Sequence, residues 1–358
     1  MLGNCVRLIR FVRKKKFFPL ALAFVVFLLV SCSSSKDSIQ FKAMDTYMTV
    51  TSYGAKASKA NKLVKNRILE LESYISVTDA QSDVYKINHG GNDFVFSHKE
   101  TENLFKFSFD MAKKTGGAFN PALYPMTKLW GFTEEKKKVP LPSEINKALL
   151  LTDFSKVSLS SGGGNIYEKG ELEFSHKEKG MMFDFGAVGK GFACDEAVKI
   201  FKENGIKSAI LDLGGNIQVV GLKPDGSEWN IGVKNPWVGN PAIGLKIRDA
   251  SVTTSGGYER FFFDENGKKY IHIFDSESGY PVENGIESVS VIAESGLYAD
   301  ALSTALFAMG LEKSIDFWKG NRDFQMIILT DDEKIFYTKG LEEKITLLFD
   351  FSEINVVE

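Results

Sequence analysis

The sequence predicts an α+β (mixed α/β) fold, with mixed sheets flanked by helices. Three observations carry this: stretches of helical apolar period, short alternating stretches of strand type, and hairpin-type links that intermix the two. Residues 46–52 alternate as a strand. A helix follows, because Val64, Ile68, Leu71 and Ile75 recur at spacings of four, three and four and form one buried stripe. A second helix runs through Leu104, Ser108 and Met111 and stops at Gly116-Gly117. The third starts near Gly189, carries Ala193, Ala197, Ile200 and Phe201, and ends at Asn204-Gly205, a C-terminal stop signal. Short strands follow at 209–213, 217–220, 229–233 and 245–247. Residues 260–263 and 270–274 flank an Asn266-Gly267 turn and read as a hairpin. Residues 288–292 form another alternating strand, leading into a helix over about 297–309 that Gly310 closes. The length suits one large domain or two intimately packed lobes.

The N-terminus reads as a secretion signal. Arg7, Arg10, Arg13, Lys14, Lys15 and Lys16 precede a run over residues 17–30 that is apolar apart from Pro19. A membrane-spanning helix needs roughly 20 apolar residues, so this run is short for a permanent span. It ends in Leu29-Val30-Ser31-Cys32, which resembles the bacterial lipobox. That resemblance implies cleavage after residue 31 and a lipid on Cys32, with the mature protein facing the periplasm. Two or three acyl chains hold firmly, at about 0.8 kcal/mol per buried methylene. Residues 32–40 are expected to be a lipidated tether, polar and rich in serine over 33–38, and 41–358 the folded domain.

The signal carries six basic side chains and no acidic one, so the mature chain keeps 38 basic and 46 acidic side chains, a net charge of −8. An acidic chain without a basic stripe is a poor nucleic-acid binder. The run Lys136-Lys137-Lys138 reads as a solvated loop. Cys5 leaves with the signal and Cys32 takes the lipid, so Cys194 has no partner for an intrachain disulfide. No His-x-x-x-His or Cys-x-x-Cys pair exists, which argues against zinc. His89, His98 and His176 sit among polar residues and read as surface positions, whereas His272 lies between isoleucines on a strand.

Two elements carry chemistry. Asp300 and Thr304 lie four apart on the last predicted helix and therefore stack on one face. A carboxylate and a hydroxyl so placed offer hard oxygen ligands suited to Mg²⁺, although an acid near a helix start also suits the macrodipole. The string Asp184-Phe-Gly-Ala-Val-Gly-Lys-Gly brings glycines and Lys190 to a helix start, where backbone N–H groups approach an anion. Its spacing is not that of a Walker A loop. Each string read alone is also compatible with a structural turn.

Taken together, these strings resemble the ApbE family of FAD:protein FMN transferases. Matching elements are Met44-Asp-Thr-Tyr, Gly117-Ala-Phe-Asn-Pro, the Asp184 string, Leu213-Gly-Gly-Asn, Trp229-Asn-Ile-Gly-Val, Thr254-Ser-Gly-Gly-Tyr-Glu-Arg, His272-Ile-Phe-Asp with Gly279-Tyr-Pro, and Ala299-Asp-Ala-Leu-Ser-Thr-Ala. The resemblance implies an FAD-binding cleft between two packed lobes, and Mg²⁺ at the FAD diphosphate. It also implies transfer of FMN to a threonine or serine of acceptor flavoproteins, subunits of membrane redox complexes. The metal would be held by the Ala187 carbonyl, Asp300 and Thr304. FAD would be contacted by Met44, Ala118, Phe119, Asn120, Asp184, Lys190 and Ile271. His272 is the expected general base, with Asp300 as competitor and Lys190 stabilising phosphoryl charge. Two positions depart from the family pattern: Asp45 stands where glycine is usual, and Thr78 where many relatives place an aromatic over the flavin. Weaker flavin stacking opens a second reading, Mg²⁺-dependent hydrolysis of FAD to FMN and AMP. A non-catalytic FAD-binding lipoprotein is the third.

Overall fold

The computed structural model describes residues 35–90, 93–161, 172–176 and 178–358. A nine-stranded sheet orders them, and its strands lie side by side in chain order. They are β1 (Lys36–Ala43), β2 (Thr46–Tyr53), β3 (Ser208–Asp212), β4 (Asn216–Val220), β5 (Ser251–Gly256), β6 (Ile286–Ala293), β7 (Gln325–Thr330), β8 (Lys334–Thr338) and β9 (Glu353–Val357). Neighbours are antiparallel throughout, except the parallel last pair β8 and β9.

Alternation along the strands sends successive side chains to opposite faces. In β7, Met326 and Ile328 join one core while Ile327 and Leu329 join another. The sheet is thus buried on both sides, and its central strands read as continuous apolar runs. One face is covered by helices α1 (Ala57–Ile75), α2 (Lys99–Lys114), α3 (Gly186–Glu203) and α4 (Gly296–Met309). Of these, α1 packs on β1 and β2, α4 packs on β5 and β6, and α3 bridges α1 and α4. Val64, Ile68, Leu71 and Ile75 form the buried stripe of α1, each worth roughly 1.5–3 kcal/mol of burial. The other face is covered by a three-stranded sheet of Trp229–Lys234, Pro241–Ile247 and Ile345–Leu347. A small third core forms around Met126, Trp130, Ile145 and Phe274. It sits beneath the hairpin of Phe261–Phe263 and Lys269–Ile271.

The structure corrects several expectations. The tether does not extend to residue 40, because β1 starts at Lys36 and pairs in register with β2 back to Tyr53. Phe41 and Ala43 are buried, and the polar residues before them occupy an exposed edge strand, where their polarity is no obstacle to pairing. The expected signal and Cys32 lie outside the described residues. Beyond Gly310 the structure adds the helix Leu311–Gly320 and strands β7 to β9, for which the sequence pattern gives no element. His98 is half-buried rather than a surface position, stacked on Tyr74 at 3.7 Å and bonded through Nδ1 to Asp83 Oδ2 at 3.0 Å. Cys194 is free and buried, as its place on the helix implied.

Candidate active site

The site is built where α3 crosses α4. A Cβ added to Gly191 would lie 2.2 Å from the Gly296 carbonyl oxygen and 2.7 Å from the Asp300 Cβ, so only glycine permits this approach. The Gly191 N–H donates to Asp300 Oδ2 at 2.8 Å, tying the carboxylate to the second turn of α3. Burial raises the Asp300 pKa, opposed by the positive Lys190, the Asn216 amide and the Gly191 N–H. One turn on, the Thr304 hydroxyl lies 3.2 Å from the Ser255 hydroxyl of β5. Ser255 also meets Ser303 at 2.8 Å, so the strand fixes this side of α4.

Lys190 acts electrostatically on Asp300, Asp184, Glu259 and His272, which makes it the common charge of the cleft. Asp184 precedes α3, and its Oδ1 accepts the Gly186 N–H at 2.9 Å. Burial raises the Asp184 pKa against that bond and the charge of Arg260. His272 follows the hairpin. Its backbone N–H and its Nδ1 both lie 3.1 Å from the Arg260 carbonyl oxygen. Burial pushes its pKa down to about 4, and the charges of Arg260 and Lys190 act in the same direction. A neutral ring that donates from Nδ1 leaves Nε2 as an acceptor.

Met44 and Asp45 form the two-residue turn between β1 and β2, with φ of 47° and 60°. Both are positive, as a type I′ hairpin requires. The Met44 N–H donates to Glu72 Oε1 at 2.7 Å, and its sulfur lies 3.9 Å from where a Gly189 Cβ would stand. Phe119 is buried, and the Asn120 side chain is committed to the Thr152 carbonyl and the Ala122 N–H, each at 2.9 Å. Ala118 is half-buried on the same strip. Ile271 is buried against Gly257. Thr78 lies in the exposed turn after α1, its hydroxyl 3.1 Å from that of Ser76.

Sequence reasoning missed Gly191, Asn216, Ser255, Glu259 and Arg260. Asn216 is buried, and its side-chain amide bears on the Asp300 carboxylate. Burial raises the Glu259 pKa, and Lys190 and Arg260 offset this. The signal for all five was their place within the glycine-bearing strings.

Among the described residues, no three or more His, Cys, Asp or Glu side chains gather as a metal cluster. A cation here would use one buried carboxylate, a hydroxyl and a carbonyl, then complete its shell with water or ligand oxygens. That donor set fits Mg²⁺. The charge of Lys190, shared by these groups, suits an anionic ligand beside it.

Fold and site together define a mixed α/β protein in which one lysine, Lys190, bears on a buried carboxylate, Asp300, and on the neutral imidazole of His272. The chain belongs to the ApbE family, whose sequence model matches residues 44–328. The chain is 36% identical over 255 residues to the FAD:protein FMN transferase of Treponema pallidum (strain Nichols), covering 68% of this chain and 69% of that protein. A transferase of the same name from Klebsiella pneumoniae (strain 342) is 32% identical over 284 residues, covering 78% and 84%. The crystal structure of the ApbE protein from Thermotoga maritima aligns with a TM-score of 0.78 at 30% identity, covering 87% of this chain and 99% of that one. The flavin transferase ApbE from Vibrio cholerae shares the fold, with a TM-score of 0.76 at 22% identity, covering 87% and 99%.

Proposed function

We propose that this chain transfers FMN from FAD to a threonine or serine hydroxyl of an acceptor flavoprotein, releasing AMP, in a Mg²⁺-dependent reaction. One observation supports the reading: the positive charge of Lys190 bears on both the buried Asp300 carboxylate and the His272 ring, in a member of the ApbE family. Ala187, Asp300 and Thr304 would hold Mg²⁺, which supplies positive charge to the diphosphate and orients it. Lys190 offsets the negative charge that grows on the phosphoryl oxygens. The acceptor oxygen bonds to the FMN phosphorus as the diphosphate P–O bond breaks toward AMP. Nε2 of neutral His272 takes the hydroxyl proton. The Arg260 carbonyl holds the ring so that this nitrogen is the free one.

The direct test is to combine the protein, FAD, Mg²⁺ and a candidate acceptor subunit of a membrane redox complex. The expected result is an acceptor mass increased by one FMN, with AMP in equal amount. Release of AMP with no mass gain on any hydroxyl-bearing acceptor points instead to hydrolysis of FAD. The exposed Thr78 favours hydrolysis as a second activity, since its side chain offers no ring to cover the flavin.

The proposal extends to location. Cys32 carries a lipid, the mature chain faces the periplasm, and its acceptors are membrane-associated. The support is the basic and apolar stretch before Cys32. Among the described residues no helix is long and apolar enough to cross a membrane. Mass spectrometry of the N-terminal peptide from cells expressing the full chain tests this. An unmodified Cys32 peptide still joined to residues 1–31 would remove the anchor.

A further inference from the structure

Two stripes face each other at the α3–α4 crossing. On α3, Ala187, Gly191 and Asp195 recur every four residues, and on α4, Gly296, Asp300 and Thr304 do the same. Each stripe therefore follows one helix face, in steps of about 5–6 Å. The contacts run in opposite order along the two helices. Asp195 meets the start of α4, and Gly191 meets Gly296 and Asp300. One further turn in the same progression carries Ala187 toward Thr304.

Asp195 is the firmest of these contacts. Its Oδ1 accepts the Gly296 N–H at 2.6 Å, and its Oδ2 accepts the Ser295 hydroxyl at 2.6 Å and the Leu297 N–H at 3.3 Å. Ser295 Oγ in turn accepts the Tyr298 N–H at 3.2 Å. The opening N–H groups of a helix have no partner within it, and here one carboxylate from a neighbouring helix takes two of them. The dipole of α4 favours that negative charge. A cap supplied by α4 itself would stabilise the helix without saying where it sits. A cap supplied by α3 ties the start of α4 to one height on α3.

We infer that Asp195 sets the axial register of α4 on α3, and so brings Asp300 and Thr304 level with the Ala187 carbonyl. It is a positioning residue, remote from any reacting atom. The inference rests on the proposed reading that these three residues hold a divalent cation.

The test is Mn²⁺ binding, followed by the loss of the free-ion electron paramagnetic resonance signal, with and without FAD. The protein is taken as wild type, Asp195→Ala, Asp195→Asn, Asp195→Glu and, as a control, Ser82→Ala, since the Ser82 hydroxyl caps the helix Asp83–His89 by accepting the Tyr85 N–H at 2.9 Å. Asp195→Ala is expected to weaken Mn²⁺ binding at least tenfold. Asp195→Asn, whose amide oxygen still accepts from Gly296 and whose nitrogen can donate to Ser295, should stay within about threefold of wild type. Asp195→Glu keeps the charge but lengthens the arm by one methylene, so it should retain thermal stability better than Asp195→Ala and still weaken Mn²⁺ binding. Ser82→Ala should lower the melting temperature and leave Mn²⁺ affinity unchanged. Wild-type affinity in Asp195→Glu, or in a folded Asp195→Ala, overturns the register role and leaves a simple helix cap. If Asp300→Asn fails to abolish the Mn²⁺ binding of otherwise wild-type protein, the cation reading itself has failed, and this role falls with it.

Discussion

The Arg260 carbonyl oxygen accepts from the backbone N–H of His272 and lies the same 3.1 Å from its Nδ1. One oxygen thus sets the ring's tautomer and direction. Replacing His272 with alanine is expected to slow FMN transfer by about 10²–10⁴-fold, the usual worth of a positioned general base. FAD binding should change little, because the ring would act on the acceptor's proton. Single-turnover transfer beside a flavin-binding titration separates the two.

The same histidine predicts a pH dependence of stability. The ordinary value is 6.5, and burial lowers the folded ring to about 4. The unfolded chain therefore binds this proton first as pH falls. The contribution of His272 is fully present above about 6.5, is lost progressively as pH falls toward about 4, and changes no further below that. His272→Gln should lose less stability than wild type across that window. Urea midpoints at pH 7.5 and pH 5 test this, and parallel losses in both proteins contradict it.

Gly191→Ala forces a methyl into the Gly296 carbonyl, which is backbone and cannot swing aside. Overpacking of this kind typically costs about 1–3 kcal/mol, here toward the upper end. Because the same step pushes Asp300 outward, Mg²⁺ dependence should shift to higher concentration while the melting temperature falls. A variant with wild-type values of both would show that the helices separate without consequence.

Asp45 occupies a left-handed conformation, with φ of 60°. Such a residue carries up to roughly 1–2 kcal/mol of strain, less for aspartate, and glycine carries none. Asp45→Gly is expected to stabilise the protein by up to about 1 kcal/mol with flavin affinity unchanged, since the Met44 N–H bond to Glu72 is a backbone contact. Thermal denaturation of the two proteins measures it.

Arg67 on α1 reaches Glu70 and Glu100 at 2.6 Å and Glu196 of α3 at 2.8 Å. Arg67→Met leaves these carboxylates without their shared cation. The loss should be about 1–3 kcal/mol, between exposed and buried pairs, and should shrink as salt screens the remaining repulsion. A loss that is the same at low and high salt would mean that packing, not charge, is what Arg67 supplies.

What the sequence discloses depends on how local the signal is. Val64, Ile68, Leu71 and Ile75 announce a helix because the stripe lies within one element, and Asp300 with Thr304 announces a shared face for the same reason. The run around Ile327 and Ile328 hides its strand, because burial on both faces removes the alternation that marks a half-exposed one. β1 is hidden for the opposite reason, as a polar edge strand whose first residues look like tether. Asn216, Glu259 and Arg260 join the cleft only through pairing across the sheet and folding of the hairpin, a relationship no spacing contains. His272 was legible as a histidine between isoleucines, but its direction comes from Arg260, across the hairpin.

Strand β1 has an orientation that reaches beyond the fold. Its eight residues run from Lys36 to Ala43, and the Met44 turn closes its far end. At about 3.4 Å per residue, that turn stands roughly 27 Å from the strand's beginning. A lipid at Cys32, only four positions before Lys36, would hold the near end of this rod at the bilayer. The Met44 turn at the opposite end would then point away from the headgroups, toward whatever protein surface approaches from the aqueous side.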